Sequence, residues 1–128
     1  MKVKCIDTED FNLLELGKMY NVYSIFLTQQ NLKYLIAEEG IVPFPFLSDA
    51  VQFEIVDSLL PLEWHFIFRG YKKEYDDPNP LIAVWGYKEM ALDPKHYIDL
   101  LEREPEALEI FYKRKKEIDE YEELRAQK

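Results

Sequence analysis

Apolar and polar residues alternate over residues 2–6, with Val3 and Cys5 on one face and Lys2 and Lys4 on the other. That period of two marks a half-buried strand. It returns over residues 19–27, where Tyr20 and Val22 share a face, and over residues 32–36, where Leu32, Tyr34 and Ile36 alternate with Lys33. Thr28-Gln29-Gln30-Asn31 between them has turn composition, so the two strands are expected to form a hairpin. Past the turn Glu38-Glu39-Gly40, Pro43 and Pro45 occupy alternate positions of an extended run and Phe44 and Phe46 share its opposite face. Proline cannot donate to a sheet ladder, which puts this strand at an edge. Ser48-Asp49-Ala50 predicts a short helical turn. Residues 53–56 predict a further strand, with Phe53 and Ile55 inward and Gln52 and Glu54 outward. By shared phase, Val3, Cys5, Tyr20, Val22, Tyr34, Ile36, Phe53 and Ile55 are expected to be buried together.

Leu59-Leu60-Pro61 marks a boundary. Beyond it, residues 64–71 read as a strand, with Trp64, Phe66 and Phe68 on its main aromatic face and His65, Ile67 and Arg69 on the other. Residues 81–85 read as its antiparallel partner, which leaves residues 72–80 as an exposed acidic loop. Gly86 ends this strand with a residue free in backbone angle. Asp93 and Pro94 then occupy the cap and first position of a helix. Tyr97, Leu100, Leu101, Ala107, Leu108, Phe111 and Ile118 recur at helical spacing. Pro105 divides this tail into a short helix over residues 94–103 and a longer one over residues 105–124. Apolar residues thin out past Tyr112, so the end of the long helix is expected to project into solvent, with Asp99–Arg103 and Glu109–Lys113 as i,i+4 pairs.

Lys4-Cys5-Ile6, Leu16-Gly17-Lys18 with Tyr20 and Val22, Tyr34 with Ile36, and Phe53-Glu54-Ile55-Val56 resemble the small SH3-like β-barrels of short bacterial and phage proteins. In that pattern a Gly-Lys turn opens the second strand and a Phe-Glu-hydrophobic strand closes the barrel. The resemblance covers the first half of the chain and implies a fold, not one activity. The Pro43–Phe46 segment departs from the tryptophan-bearing strand usual there.

Composition narrows the function. The 128 residues are 48% hydrophobic and 32% charged, enough for one core and its cover. The net charge of −9 repels phosphates and anionic lipid, so nucleic acid and membrane surfaces are excluded as partners and a basic protein is favoured. The charge is shared, with −5 on residues 1–60 and −4 on residues 61–128. With one cysteine and no apolar leader or membrane-length run, a soluble cytoplasmic protein is expected.

The chain shows no catalytic or cofactor motif. Cys5 with His65 or His96 could form a thiolate–imidazole pair, but a small core residue on the first strand is the simpler reading of Cys5. Two histidines without ligand spacing predict no metal site. The run Lys113–Lys116, flanked by acidic stretches, reads as a solvated, ion-paired helix face. Glu74, Asp76 and Asp77 on the hairpin loop are the candidate partner-binding residues.

These readings converge on an α+β fold. An SH3-like, partly open antiparallel lobe (residues 1–60) is extended by a β-hairpin and two C-terminal helices (residues 61–128) as one compact unit. The expected function is protein binding, similar in general character to bacterial immunity proteins that neutralise a toxin by covering a basic surface. The alternatives are a phage-derived or structural accessory module, and an enzyme whose site the sequence does not display.

Overall fold

Val22 and Tyr23 divide the fold in two. Both are buried, and they face different cores. The Val22 amide donates to the Met1 carbonyl (3.1 Å) and the Tyr23 amide to the Leu35 carbonyl (2.8 Å), one bond in the direction of each sheet. The strand expected over residues 19–27 is therefore two strands, β2 (Met19–Asn21) and β3 (Ser24–Thr28). The inward phase moves from Tyr20 and Val22 to Ile25, a slip of one residue that strict alternation does not allow.

The computed structural model describes residues 1–9, 13–41, 43–70 and 81–126. The fold is α+β. One antiparallel sheet has the order β2-β1-β6, where β1 is Lys2–Cys5 and β6 is Phe53–Asp57. The other has the order β5-β4-β3-β8-β7, where β4 is Leu32–Glu38, β5 Phe44–Asp49, β7 His65–Phe68 and β8 Leu81–Gly86. The hairpin of β3 with β4 forms as expected, β5 lies at an edge, and a 3-10 turn over Ala50–Gln52 leads into β6. β8 lies between β3 and β7, so both halves of the chain build the larger sheet. The sheets do not close into a barrel.

The first core fills the space between the sheets. Val3, Cys5, Tyr20, Val22, Tyr34, Ile36 and Phe53 meet there, with Ile25 and Phe46. Ile55 does not join them and is 53% exposed. It is register-paired with Val3, but β6 is an edge of its sheet, and among the described residues Glu54, Ile55 and Val56 are all left exposed there. Gln52, expected outside, is buried. Its Oε1 accepts from Ser48 Oγ (2.8 Å) and its Nε2 donates to the carbonyls of Asp7 and Thr8 (both 3.3 Å), which satisfies the buried amide.

The second core lies between the larger sheet and three helices, α1 (Lys88–Leu92), α2 (Pro94–Leu101) and α3 (Pro105–Ala126). Tyr23, Phe26, Leu35, Val84, Met90, Leu100 and Phe111 fill it. Asp93 caps α2 through its side chain, which accepts from the Lys95 amide (3.1 Å), and Pro94 is the first helical residue. The hairpin of β7 with β8 forms as expected, over the shorter strand His65–Phe68. Ile67 packs on the helix-side core, while Phe66 and Phe68 are 54% and 60% exposed. Helix α1 packs on β7, and the Ile67 side joins the helix-side core. The expected loop at residues 72–80 lies outside the described residues.

α3 does not leave the body of the protein. Ala107, Phe111, Lys115, Ile118 and Glu122 are all buried, at steps of three or four residues along its length. The stripe facing the sheets thus continues past the apolar residues through a lysine and a glutamate. Asp99 pairs with Lys95 (3.8 Å), not with Arg103. Arg103 crosses instead to the Pro45 carbonyl (2.6 Å) and stacks on Phe44.

Gly86 matters for contact and not for backbone angle. A Cβ placed there would lie 2.3 Å from Ser24 Oγ and 3.0 Å from Ser24 Cβ on the neighbouring strand. Ser24 is fully buried and its hydroxyl is bonded to the Tyr23 carbonyl (2.6 Å), so it has little room to yield. Gly86→Ala is expected to cost about 1–3 kcal/mol by overpacking. Ser24→Gly in the same chain should recover part of that loss, measured by urea unfolding. A Gly86→Ala protein as stable as the parent would show that the strands separate freely here.

Candidate functional site

α3 sorts its charges. Its first-turn proline and its apolar stripe seat it on the larger sheet, and the cations beside that stripe turn inward. Arg114 donates through Nε and Nη2 to the two carboxylate oxygens of Glu89 (2.7 and 2.8 Å) and through Nη1 to Glu117 (3.1 Å). Lys115 is buried, bonded to Asp119 (2.6 Å) and Glu39 (2.9 Å), with its ammonium 5.6 Å from the centre of the Tyr23 ring. Asp119 also accepts from the Tyr23 hydroxyl (2.6 Å) and Asn21 Nδ2 (2.9 Å). Arg125 reaches Asp57 (2.5 Å) and the Leu59 carbonyl (3.2 Å), and the buried Glu122 pairs with the Met1 ammonium. The helix is thereby pinned to β1, β2 and the end of β6.

The opposite face of α3 is acidic. Glu106, Glu109, Glu117, Glu120 and Glu123 are exposed, with Lys113 and Lys116 among them. Of the basic run at 113–116, only these two lysines are solvated, because Arg114 and Lys115 belong to the inward networks. A cation buried without partners is very costly, so each inward cation has at least two acceptors.

Beside Arg114 runs a groove of about 630 Å³ between α3, the segment of residues 61–65 and the start of α1. Trp64, Tyr87, Ile118 and Tyr121 give it apolar surface, and Glu63, His65, Lys88 and Glu117 add charge and polarity. Among the described residues, the buried Trp64 Nε1 has no hydrogen-bond partner. Such a groove can take an apolar or aromatic side chain with a polar end.

Among the described residues, Cys5, His65 and His96 are not brought together. Cys5 sits in the inter-sheet core with its thiol toward the Asp7 carbonyl (3.7 Å). His96 lies on the helix side of the larger sheet, 2.7 Å from the hydroxyl of Tyr87. His65 is exposed on the groove. Glu74, Asp76 and Asp77 lie outside the described residues. Among the described residues no group of three or more potential ligands is placed to hold a metal ion. No helix there is long and apolar enough to cross a membrane. The inward networks escaped sequence reading, although Lys115 and Glu122 continue the phase of Ala107 and Phe111.

Burial and pairing shift several protonation equilibria. The Arg114 hydrogen bonds hold the Glu89 carboxyl down to about 2. Burial pushes the Tyr87 hydroxyl far up and the His96 imidazole down. Burial opposes the Lys115 ammonium, but its bonds to Asp119 and Glu39 outweigh this and raise it. A group whose folded value is depressed gives its full stability above its unfolded value and loses it as pH falls. For His96 the loss begins as pH falls through 6.5, and for Glu89 it runs from 4.5 toward about 2. The urea midpoint should therefore fall between pH about 7 and about 5, and His96→Gln should flatten that part of the profile. A parent profile already flat across this window would refute a buried neutral imidazole.

No protein-family model, curated protein or solved structure matches the chain.

Proposed function

We propose that the protein is a protein-binding module that meets a basic partner across the outer face of α3. The supporting observation is the sorting of charge on that helix: arginines and a lysine are consumed within the fold while five glutamates remain exposed. A cover of this kind suits the neutralisation of a toxin with a basic cleft, the role of an immunity protein. Complementary charge speeds encounter and fixes orientation. The adjoining groove gives the partner a recess in which to bury an anchoring side chain, and such anchors supply most of an interface's affinity.

Replacing Glu106, Glu109, Glu120 and Glu123 by Gln is expected to slow association with a partner captured from the native host. It should also flatten the salt dependence of the rate and leave the urea midpoint within about 0.5 kcal/mol of the parent. Replacing Glu74, Asp76 and Asp77 by amides in a separate chain tests the loop acids in the same assay. Association rates at two ionic strengths decide between them. A salt-independent parent rate would remove both acidic surfaces from the reading.

A further inference from the structure

Residues 58–64 carry the chain from β6 on the smaller sheet to β7 on the larger one. Their second half forms one wall of the groove, and Glu117, Ile118 and Tyr121 of α3 form the wall facing it. This crossover is weakly seated by its own side chains, since Leu59 and Leu62 are 63% and 89% exposed. Two of its hydrogen bonds are local, from the Leu59 amide to Asp57 Oδ1 (3.0 Å) and from the Trp64 amide to the Pro61 carbonyl (3.1 Å). The link to α3 is made by Arg125. Its guanidinium donates to the Asp57 carboxylate (2.5 Å) and the Leu59 carbonyl (3.2 Å), at the start of the crossover. The same guanidinium lies 5.5 Å from the centre of the Tyr121 ring, which lines the groove.

We infer that residues 58–63 are a movable wall of the groove, a strap latched to α3 by Arg125, and that the groove widens when this latch releases. The two walls differ in how they are held. α3 is seated by Phe111 and Ile118 in the helix-side core, and Arg114 ties it to α1 through both carboxylate oxygens of Glu89. The strap is held to α3 by charge. Pulling an apolar ring out of a core loses its burial outright, whereas ions released to water regain hydration. The Arg125 and Asp57 side chains are both partly exposed, so water and salt reach the pair. A segment with few buried apolar contacts, held by an accessible ion pair, belongs to the low-stability end of a structure. Ionic strength then sets the balance between the latched and released forms. The device rests on the two walls and does not depend on what enters the groove.

Hydrogen exchange followed by NMR at about 50 and about 500 mM NaCl tests the latch. The Trp64 indole N–H is the reporter. It is buried without an acceptor among the described residues, so its protection comes from burial alone. In the parent its exchange is expected to quicken about threefold at the higher salt. Arg125→Gln should quicken it at least about fivefold at low salt and remove the salt response, while the amides of β3 and β4 keep their parent rates. Asp57→Asn reaches the same latch from the strap and should act alike, with its amide oxygen still able to accept from Leu59. An indole rate indifferent to Arg125→Gln would overturn the inference. So would a salt response that survives this substitution, or an acceleration shared equally by β3 and β4, which marks opening of the whole chain. Faster exchange confined to the last amides of α3, with the indole unchanged, would reduce Arg125 to a brake on fraying and overturn it as well.

Discussion

The central strands of the larger sheet, β3, β4 and β8, bury both faces among the described residues, and the elements around them are arranged to cover those faces. β3 and β4 send Ile25, Tyr34 and Ile36 into the inter-sheet core and Phe26, Leu35 and Ala37 into the helix-side core. A strand covered on one side only would leave about half of these residues in water, each at a cost of about 1.5–3 kcal/mol. The smaller sheet covers one face and the helices the other. The Val22–Tyr23 handover lets one chain segment serve both cores. Its polar consequences are handled locally, since each amide there finds a carbonyl at once.

Local pattern and chain punctuation account for what could be read from sequence. The β3–β4 hairpin, the edge position of the proline-bearing strand, the Asp93 cap and the start of α3 at Pro105 all follow from rules acting within a few residues. What could not be read depends on which neighbour covers which face. Ile55 has the correct phase and lies at an open end. Phe66 and Phe68 are more apolar than His65, yet the Ile67 face is buried because helices lie there. The end of α3 was hidden for a related reason. Its buried stripe switches from apolar to ion-paired residues, and hydrophobic periodicity is blind to a buried lysine with two carboxylate partners. Of the candidate site, the acidity was legible in the composition, whereas its concentration on one helix face required knowing where the cations go.

The separation of charge is a product of folding and not of composition alone. Arg114, Lys115 and Arg125 each tie α3 to an element distant in sequence, through Glu89, Glu39 and Asp57. Every such pair removes a positive charge from the outer surface together with one acid. Because acids outnumber bases, 25 to 16, each removal leaves the remaining surface more uniformly negative. The fold therefore concentrates a field that the unfolded chain would spread. Within a screening length of about 8 Å at physiological ionic strength, concentration on one face matters more than the total. The contacts that hold α3 in place are thus also the ones that make its outer face an electrostatic surface, and loosening one of them would weaken packing and dilute the field together.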